Sequence, residues 1–387
     1  MSPRIVLAGG GTGGHVFPAI AVADAISQLS SAEITFFGSP RGLEAKTIAA
    51  HRSPKGETYA LELLPVEPMV GGGPARAFKG AMLASRSTAL AVKALRKLRP
   101  EAVMSVGGYA AGPVAMAAVL LRIPLAILEP NSVMGLTNRW LSRFAVRAYI
   151  AFPELQNGFK KDVARITGVP LRRAFYPHDL TAAPPYRVLI LGGSQGARGL
   201  NKRLPDALAR VAREGFAVEV LHQAGGGREE EVRALYKEEG LENVRVVPFI
   251  DDVAKELERA HLVISRSGAG TLAEIAAVGR PSLLVPFPHA ADDHQAKNAS
   301  AFESAKAAIM VREEVADPVR LASEITALFR EPSRLQEMAR IARTLGHPDA
   351  ARVIASDFLA LARGETKFIY DDVEKTSPPT NLLAMES

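Results

Sequence analysis

Short apolar runs alternate with longer amphipathic segments along almost the whole chain. Apolar runs of this length are typical of buried strands and the longer segments of helices, so the alternation predicts parallel sheets with crossover helices. The predicted strands are residues 4–8, 33–37, 60–64, 102–106, 125–128, 148–151, 187–191, 217–221, 244–247, 262–265, 282–285 and 308–311. We therefore expect an α/β protein with two doubly wound parallel sheets.

The chain of 387 residues is long enough for more than one hydrophobic core. Similar units of strand, glycine loop and helix begin at Ile5 and Val188, and each is expected to open a domain. Residues 168–186 contain four prolines and are predicted to connect the two domains. The predicted division is an N-terminal domain over 1–168, a C-terminal domain over 169–346, a helix over 347–363 and a polar tail over 364–387.

Composition narrows the class of protein. Apolar residues make up 48% and charged residues 23%, which is typical of a globular chain and not of a disordered one. The absence of cysteine excludes disulfides, thiol nucleophiles and thiolate zinc sites, and it fits a reducing compartment. The longest apolar stretch, 110–128, contains Pro113, Arg122 and Pro124, so it predicts a buried helix and strand and not a membrane span.

Charge is distributed unevenly along the chain. Residues 1–168 contain 19 Lys and Arg against 10 Asp and Glu, a balance of +9 within a total of +6. Residues 76–99 include seven basic side chains and no acid, and a helix over 136–147 would place Arg139, Arg143 and Arg147 on one face. Against the alternative of a solvated face, these segments favour contact with an anionic membrane surface, whereas no motif indicates nucleic-acid binding.

The first strand leads into a glycine loop followed by His15, and a helix is predicted over 18–29. Gly9, Gly11 and Gly14 satisfy a dinucleotide-binding pattern, but no acid follows the second strand to hold a ribose, so a dehydrogenase is disfavoured. Glycines nevertheless let backbone N–H groups approach an anion at a helix N-terminus. His15 is a candidate general base, the alternative being a capping or packing histidine.

A second glycine loop, at Gly107, Gly108 and Tyr109, also follows a predicted strand. Two such loops on one sheet would line the same edge and could hold a diphosphate through backbone amides. The alternative is a pair of tight turns between strand and helix.

In the second half, residues 265–274 form the sharpest motif. Thr271 and Glu274 match a capping box that would tie down a helix start, but Glu274 could equally accept both hydroxyls of a ribose. The sequence leaves both open. The nearby polar segment 288–295 has no recognised metal spacing, so a contact with sugar or water is preferred to a metal site.

Six segments together carry a family resemblance. They are GGGTGGHVFPA (9–19), GGYAAGP (107–113), EPNSVMGLTNRWL (129–141), GGSQGARGLN (192–201), FIDDV (249–253) and RSGAGTLAEIAAVGRPSLLVPFP (266–288). Up to about Ala362 the chain resembles the MurG family of peptidoglycan glycosyltransferases. The resemblance implies the GT-B fold, with two Rossmann-like domains facing a cleft and no cofactor or metal. It also implies transfer of N-acetylglucosamine (GlcNAc) from UDP-GlcNAc to undecaprenyl-diphosphate-MurNAc-pentapeptide (lipid I), giving lipid II. The implied location is peripheral, on the cytoplasmic face of the bacterial plasma membrane.

The resemblance also assigns residues by position. His15 becomes the catalytic base, Ile250 reads the uracil through its backbone, Glu274 holds the ribose and Arg172 approaches the diphosphate. The expected UDP-GlcNAc contacts are Thr12, Gly13, Gly14, His15, Asn131, Arg172, Ser194, Ile250, Ala269, Gly270, Thr271, Glu274 and Gln295. The expected contacts with the acceptor diphosphate are Gly11, Gly13, Gly14, Gly107, Gly108 and Tyr109.

The sequence departs from the family pattern at Pro130 and His294, where some relatives carry other residues. Two other functions share the architecture. One is a UDP-GlcNAc 2-epimerase, against which the basic amphipathic segment argues. The other is a non-catalytic nucleotide-sugar-binding protein, against which the intact His15 loop argues.

Overall fold

A computed structural model of the chain describes residues 2–11, 13–66, 74–172, 174–193, 196–365 and 367–369, and over 74–81 it describes the backbone alone. These residues form two compact units. The first contains the residues up to Pro130, then 134–170 and those from Asp349 onward. The second contains 131–133 and 171–348.

The first unit is built on a seven-stranded parallel sheet. Its strands are β1 (Arg4–Gly9), β2 (Glu33–Gly38), β3 (Ala60–Leu63), β4 (Ala102–Gly107), β5 (Leu125–Glu129), β6 (Arg147–Ile150) and β7 (Ala164–Ile166). Its helices are α1 (Gly13–Leu29), α2 (Leu43–Ala50), α3 (Pro74–Leu98), α4 (Ala111–Leu120), α5 (Leu136–Leu141) and, from the end of the chain, α13 (Ala350–Ala362), with a 3-10 turn at Pro153–Gly158. The strand order is β3-β2-β1-β4-β5-β6-β7, the doubly wound arrangement.

The second unit repeats this topology with six parallel strands. They are β8 (Tyr186–Leu191), β9 (Val218–Gln223), β10 (Val244–Val247), β11 (Leu262–Ser265), β12 (Ser282–Leu284) and β13 (Ala308–Met310), in the order β10-β9-β8-β11-β12-β13. The helices are α6 (Arg198–Arg213), α7 (Glu229–Glu238), α8 (Val253–Arg259), α9 (Ala269–Val278), α10 (His294–Ser304), α11 (Pro318–Arg330) and α12 (Pro332–Thr344), with 3-10 turns at Ala291–Asp293 and Glu313–Val315. The prediction of two doubly wound parallel sheets is confirmed.

Central strands are apolar on both faces because helices cover both sides of each sheet. Strand β4 is buried at every residue. On one face of the first sheet, Ile354 and Phe358 of α13 join a core that includes Ile5 and Leu7 of β1. The last helix thus completes the apolar packing of the first unit.

Each predicted strand is present, but three local predictions are wrong or incomplete. The edge strand β7 was not predicted, since three residues that include Arg165 give little apolar signal. Helix α1 was expected to begin at Pro18 but begins at Gly13, with Pro18 inside it. The first turn of α1 therefore contains the last glycines of the loop and His15.

The predicted helix over 136–147 is wrong in its second half. Helix α5 ends at Leu141, and Arg147 lies in β6 with its side chain only 5% exposed. Its Nε lies 3.2 Å from Oδ2 of Asp357 in α13, and its guanidinium stacks on the Phe368 ring at 4.3 Å. A buried arginine needs such a partner, so Arg147 belongs to the core and not to a charged surface.

Candidate functional site

The first sheet reverses its strand order between β1 and β4, which are parallel neighbours. Ligands of open α/β sheets bind outside the carboxyl ends of the strands at such a switch point. Both predicted glycine loops follow these two strands and touch one another. A Cβ at Gly108, whose φ is +80°, would overlap the carbonyl oxygen of Gly10, so only glycine allows this approach.

His15 lies at this same edge, in the first turn of α1, and is partly buried. Its ring atoms Cδ2 and Nε2 lie 3.2 Å from the position that a Cβ on Gly107 would occupy. Glycine at 107 therefore leaves room for the imidazole. The structure places the candidate base where the two loops meet.

The predicted diphosphate contacts of the first unit line one edge of its sheet, but their backbone N–H groups differ in whether they already have an acceptor within the protein. Gly13 and Gly14 lie in the first turn of α1, where N–H groups have no acceptor within the helix. The N–H of Gly11 donates instead to Oε2 of Glu44 at 2.9 Å. The Tyr109 ring packs against Gly11, with Cε1 2.8 Å from a Cβ position there.

A buried polar network behind this edge was not predicted as part of the site. Asn138 of α5 donates through Nδ2 to Oε2 of Glu129 at 3.0 Å and to the Leu128 carbonyl at 3.1 Å. Ser105 of β4 donates to the Asn138 Oδ1 at 3.0 Å. The Asn138 amide lies 3.3 Å from the Cβ position of Gly107, so the network supports the second glycine loop from behind. A carboxylate at the end of an otherwise apolar strand was the available sequence signal.

The second sheet reverses between β8 and β11. Helix α9 follows β11, and its N-cap is Gly268, which makes no side-chain capping bond. Ala269, Gly270 and Thr271 form its first turn. Thr271 is therefore inside the helix, and the capping-box interpretation of Thr271 and Glu274 is wrong. Glu274 is left for another role.

Glu274 of α9 has a strongly perturbed carboxyl group. Burial raises the pKa of its carboxyl to about 7, and the positive charge of Arg172 partly opposes that rise. A carboxyl that titrates near neutral pH at a helix N-terminal segment is a candidate ligand contact. Arg172 itself is exposed, so it is accessible to an anion.

Three further predicted contacts belong to the second unit. The Gln295 Oε1 accepts from the Phe287 N–H at 3.0 Å, which fixes the orientation of its amide. Ile250 is buried just beyond β10, two strands from the switch point. Asn131 precedes Ser132, whose N–H donates to Oδ1 of Asn298 at 2.9 Å.

Thr12 and Ser194 lie outside the described residues. Across the part of the chain that the structure describes, no group of three or more His, Asp or Glu side chains is arranged to hold a metal ion. In the polar segment 288–295, Asp293 pairs with Arg312 at 3.1 Å and the ring of His294 contacts the Ala291 carbonyl.

A cavity lies at the opposite end of the second sheet. It has a volume of about 340 Å³ and is lined by the amino ends of β8, β9 and β10, including Arg187, Glu219 and Arg245. These side chains are themselves ion-paired, Arg187 with Glu219 and Arg245 with Glu256. None of the predicted site residues lines it, and the carboxyl edges of the sheets remain the candidate site.

Known proteins similar in sequence to this chain are glycosyltransferases. Residues 5–150 match the glycosyltransferase family 28 N-terminal domain and 187–354 the family 28 C-terminal domain. A UDP-N-acetylglucosamine–N-acetylmuramyl-(pentapeptide) pyrophosphoryl-undecaprenol N-acetylglucosamine transferase of Sorangium cellulosum is 46% identical over 93% of this chain and 88% of its own length. A protein of the same name from Anaeromyxobacter sp. strain Fw109-5 is 41% identical, covering 93% of this chain and 94% of its own.

Among solved structures, the chain is similar to Acinetobacter baumannii MurG, with a TM-score of 0.75 and 33% identity over 92% of this chain and 98% of that one. A UDP-GlcNAc 2-epimerase from Neisseria meningitidis shares the fold with a TM-score of 0.64 but only 13% identity, over 93% of this chain and 99% of that one. The fold alone therefore does not separate transferase from epimerase. The sequence identities do, since the similar curated proteins are transferases.

Proposed function

The chain belongs to the MurG family of N-acetylglucosamine transferases, and from that membership we propose how its two sheet edges act. It transfers GlcNAc from UDP-GlcNAc to the 4-hydroxyl of the MurNAc of lipid I. The observation that carries this proposal is the identity of 46% over 93% of the chain to a protein with that printed activity. The test is whether UDP release requires a lipid I analogue as acceptor.

The reaction is an inverting displacement. His15 takes the proton of the muramyl 4-hydroxyl while its oxygen forms a bond to the anomeric carbon. The bond from that carbon to the UDP oxygen breaks on the opposite face through an oxocarbenium-like transition state, and UDP leaves with the electron pair. The leaving group already carries negative charge, so it needs charge stabilisation more than a proton.

The second unit supplies that stabilisation to UDP. The first turn of α9 presents N–H groups without helical acceptors, and Arg172 adds an exposed positive charge. Donors that meet developing charge in this way contribute about 3 kcal/mol each to the rate. Glu274 accepts from the ribose hydroxyls, the Ile250 backbone meets the uracil, and Asn131 and Gln295 face the sugar.

Glu274 makes donor binding dependent on pH. Charge-assisted hydrogen bonds to the ribose need the carboxylate, and its pKa near 7 leaves it largely protonated at pH 6. The affinity for UDP-GlcNAc therefore rises about tenfold between pH 6 and pH 8, as one proton is lost. Isothermal titration measures this affinity. Because the diphosphate diester of the donor keeps its charge between pH 6 and pH 8, the change in affinity comes from the protein.

Glu274→Gln removes the charge, so this variant binds UDP-GlcNAc about tenfold more weakly than the wild type at pH 8, and its affinity does not rise between pH 6 and pH 8. Its turnover at saturating donor is little changed. Glu256→Gln, in α8, serves as the matched control and keeps the wild-type slope. An unchanged slope in Glu274→Gln would remove Glu274 from the ribose site.

The acceptor is anchored in a membrane, and the first unit exposes a surface suited to one. Leu136, Trp140 and Phe144 are exposed by 62%, 63% and 43%, and the Arg143 guanidinium lies 5.4 Å from the Trp140 ring centre. Exposed aromatic side chains next to basic ones are typical of membrane interfaces. Lys93, Arg96 and Lys97 are exposed at the end of α3.

No helix among the described ranges is long and apolar enough to cross a membrane. From the exposed basic and aromatic side chains of the first unit we propose that the enzyme binds as a peripheral protein at the cytoplasmic face of the plasma membrane, where anionic lipid attracts these cations. Each such cation contributes about 1 kcal/mol near an anionic surface.

Reversing Lys93 and Lys97 to glutamate lowers binding to phosphatidylglycerol-containing vesicles by at least about thirtyfold, equivalent to about 2 kcal/mol. Sedimentation with vesicles measures the loss. The same reversal at Lys237 and Lys255, both exposed in the second unit, leaves binding unchanged. Equal effects of the two double variants would show that only net charge matters.

A further inference from the structure

Glu44 lies beneath the first glycine loop and has no role in the mechanism above. It is in the first turn of α2, and its side chain is completely buried. Its Oε1 accepts hydrogen bonds from the Ser39 N–H at 2.7 Å and the Ser39 hydroxyl at 2.9 Å. Its Oε2 accepts from the Gly11 N–H at 2.9 Å. One carboxylate thus joins the segments that follow β1 and β2.

Three glycines make room for this carboxylate. A Cβ added to Gly10, Gly38 or Gly42 would overlap the side chain of Glu44. These glycines come from the loop after β1, the last residue of β2 and the residue before α2. The run of glycines after β1 is therefore shaped by a buried acid as well as by a bound anion.

Ser39 also connects Glu44 to the glycine loop that follows β4, which contains Tyr109. The Ser39 hydroxyl oxygen lies 3.1 Å from the Tyr109 hydroxyl. A serine hydroxyl has one proton, and Ser39 donates it to Glu44, so Tyr109 must be the donor in this bond. The Tyr109 proton therefore points inward. Its phenol offers no proton to an anionic ligand, and only its main-chain N–H can do so.

We infer that Glu44 is a positioning residue for the acceptor site, an inference that rests on the proposed function. Glu44 accepts a hydrogen bond from the Gly11 N–H and is connected through Ser39 to the Tyr109 hydroxyl. These bonds set the shape of the loops that follow β1, β2 and β4. The diphosphate of the acceptor then meets the N–H groups of Gly13, Gly14 and Tyr109 and not that of Gly11. Most of the expected donor contacts belong to the second unit, so donor binding depends on Glu44 much less than acceptor binding does.

Glu44→Gln tests this with little change of volume. A glutamine has one oxygen, so either Gly11 or Ser39 loses its acceptor and faces an NH₂ group instead. Leaving a buried donor unsatisfied in this way is expected to lower kcat/KM for a lipid I analogue by about ten- to a hundredfold. The dissociation constant for UDP-GlcNAc stays within about twofold, since most of the expected donor contacts belong to the second unit. Glu44→Ala has the larger effect.

Asp24→Asn is the matched control. Asp24 is in α1 of the same unit and accepts from Tyr59 at 2.7 Å and contacts His51 at 2.9 Å, away from the loops. The Asp24→Asn variant weakens a comparable number of hydrogen bonds in the same unit and leaves the glycine loops unchanged. If Glu44→Gln lowers acceptor efficiency no more than Asp24→Asn does, at matched melting temperature, the inference is overturned.

Hydrogen exchange gives a readout that does not require activity. In Glu44→Gln the amides of Gly11 and Ser39 exchange faster than in the wild type, whereas in Asp24→Asn they do not. Unchanged protection of both amides also overturns the inference. Absence of transfer by the wild-type protein would instead defeat the proposed function, while the exchange result still decides the role of Glu44.

Discussion

His15→Ala lowers kcat by about 10²- to 10⁴-fold, the range expected when a general base is removed. The dissociation constant for UDP-GlcNAc changes little in comparison. The reason is geometric: His15 lies at the edge of the first sheet, beside Gly107, whereas Glu274, Arg172 and the start of α9 belong to the second unit. Steady-state rates with saturating donor and acceptor, together with titration of the donor, separate the two effects.

His178→Ala is the control for this variant. His178 is exposed in the second unit, 3.6 Å from Glu258, and its replacement leaves kcat near the wild-type value. If His15→Ala kept its turnover, or if its loss accompanied a collapsed melting transition, His15 would be a packing residue and another base would be required.

Asp357→Asn destabilises the first unit by about 3 kcal/mol, because it breaks a buried ion pair. Asp357 is buried against Arg147, accepts from the Tyr149 hydroxyl at 2.7 Å and from the Ile369 N–H at 3.1 Å. Losing its charge leaves the Arg147 cation buried without a counter-charge. For a unit of this size the melting temperature falls by about 10 °C, measured by calorimetry.

Two comparisons make this result specific. Glu337→Gln breaks the fully exposed pair with Arg340 and leaves the melting temperature unchanged. Replacing Arg147, Tyr149 and Asp357 together by Met, Phe and Leu costs less stability than Asp357→Asn alone, since no charge is then left buried. A triple variant less stable than the single one would contradict this account of α13.

The order of elements could be predicted from the sequence because apolar runs and glycine turns are local signals. They located the glycine loops at Gly107 and Gly268, which the structure places at the two switch points. Helix starts were less accurate: Gly13 and Gly14 are poor helix formers, yet α1 includes them because packing of its apolar face outweighs that preference.

Residues that depend on a distant partner could not be predicted. Arg147 has the four-residue spacing of a helix face, but Asp357, 210 residues later, holds it in a buried strand. Glu44 and Asn138 are polar residues in short helices, and nothing local reveals that each supports a glycine loop. The roles assigned to the site residues stay predictions, among them those of Thr12 and Ser194, which lie outside the described residues.

Analysis of the reaction product tests the central claim most directly. The protein is incubated with UDP-GlcNAc and a lipid I analogue, and the products are separated and examined by mass spectrometry and proton NMR. We expect UDP together with a GlcNAc–MurNAc disaccharide on the acceptor, in which the α-linked donor sugar has become β-linked at the 4-hydroxyl. Formation of the 2-epimer without acceptor, retention of the α configuration, or donor binding with no consumption would contradict it.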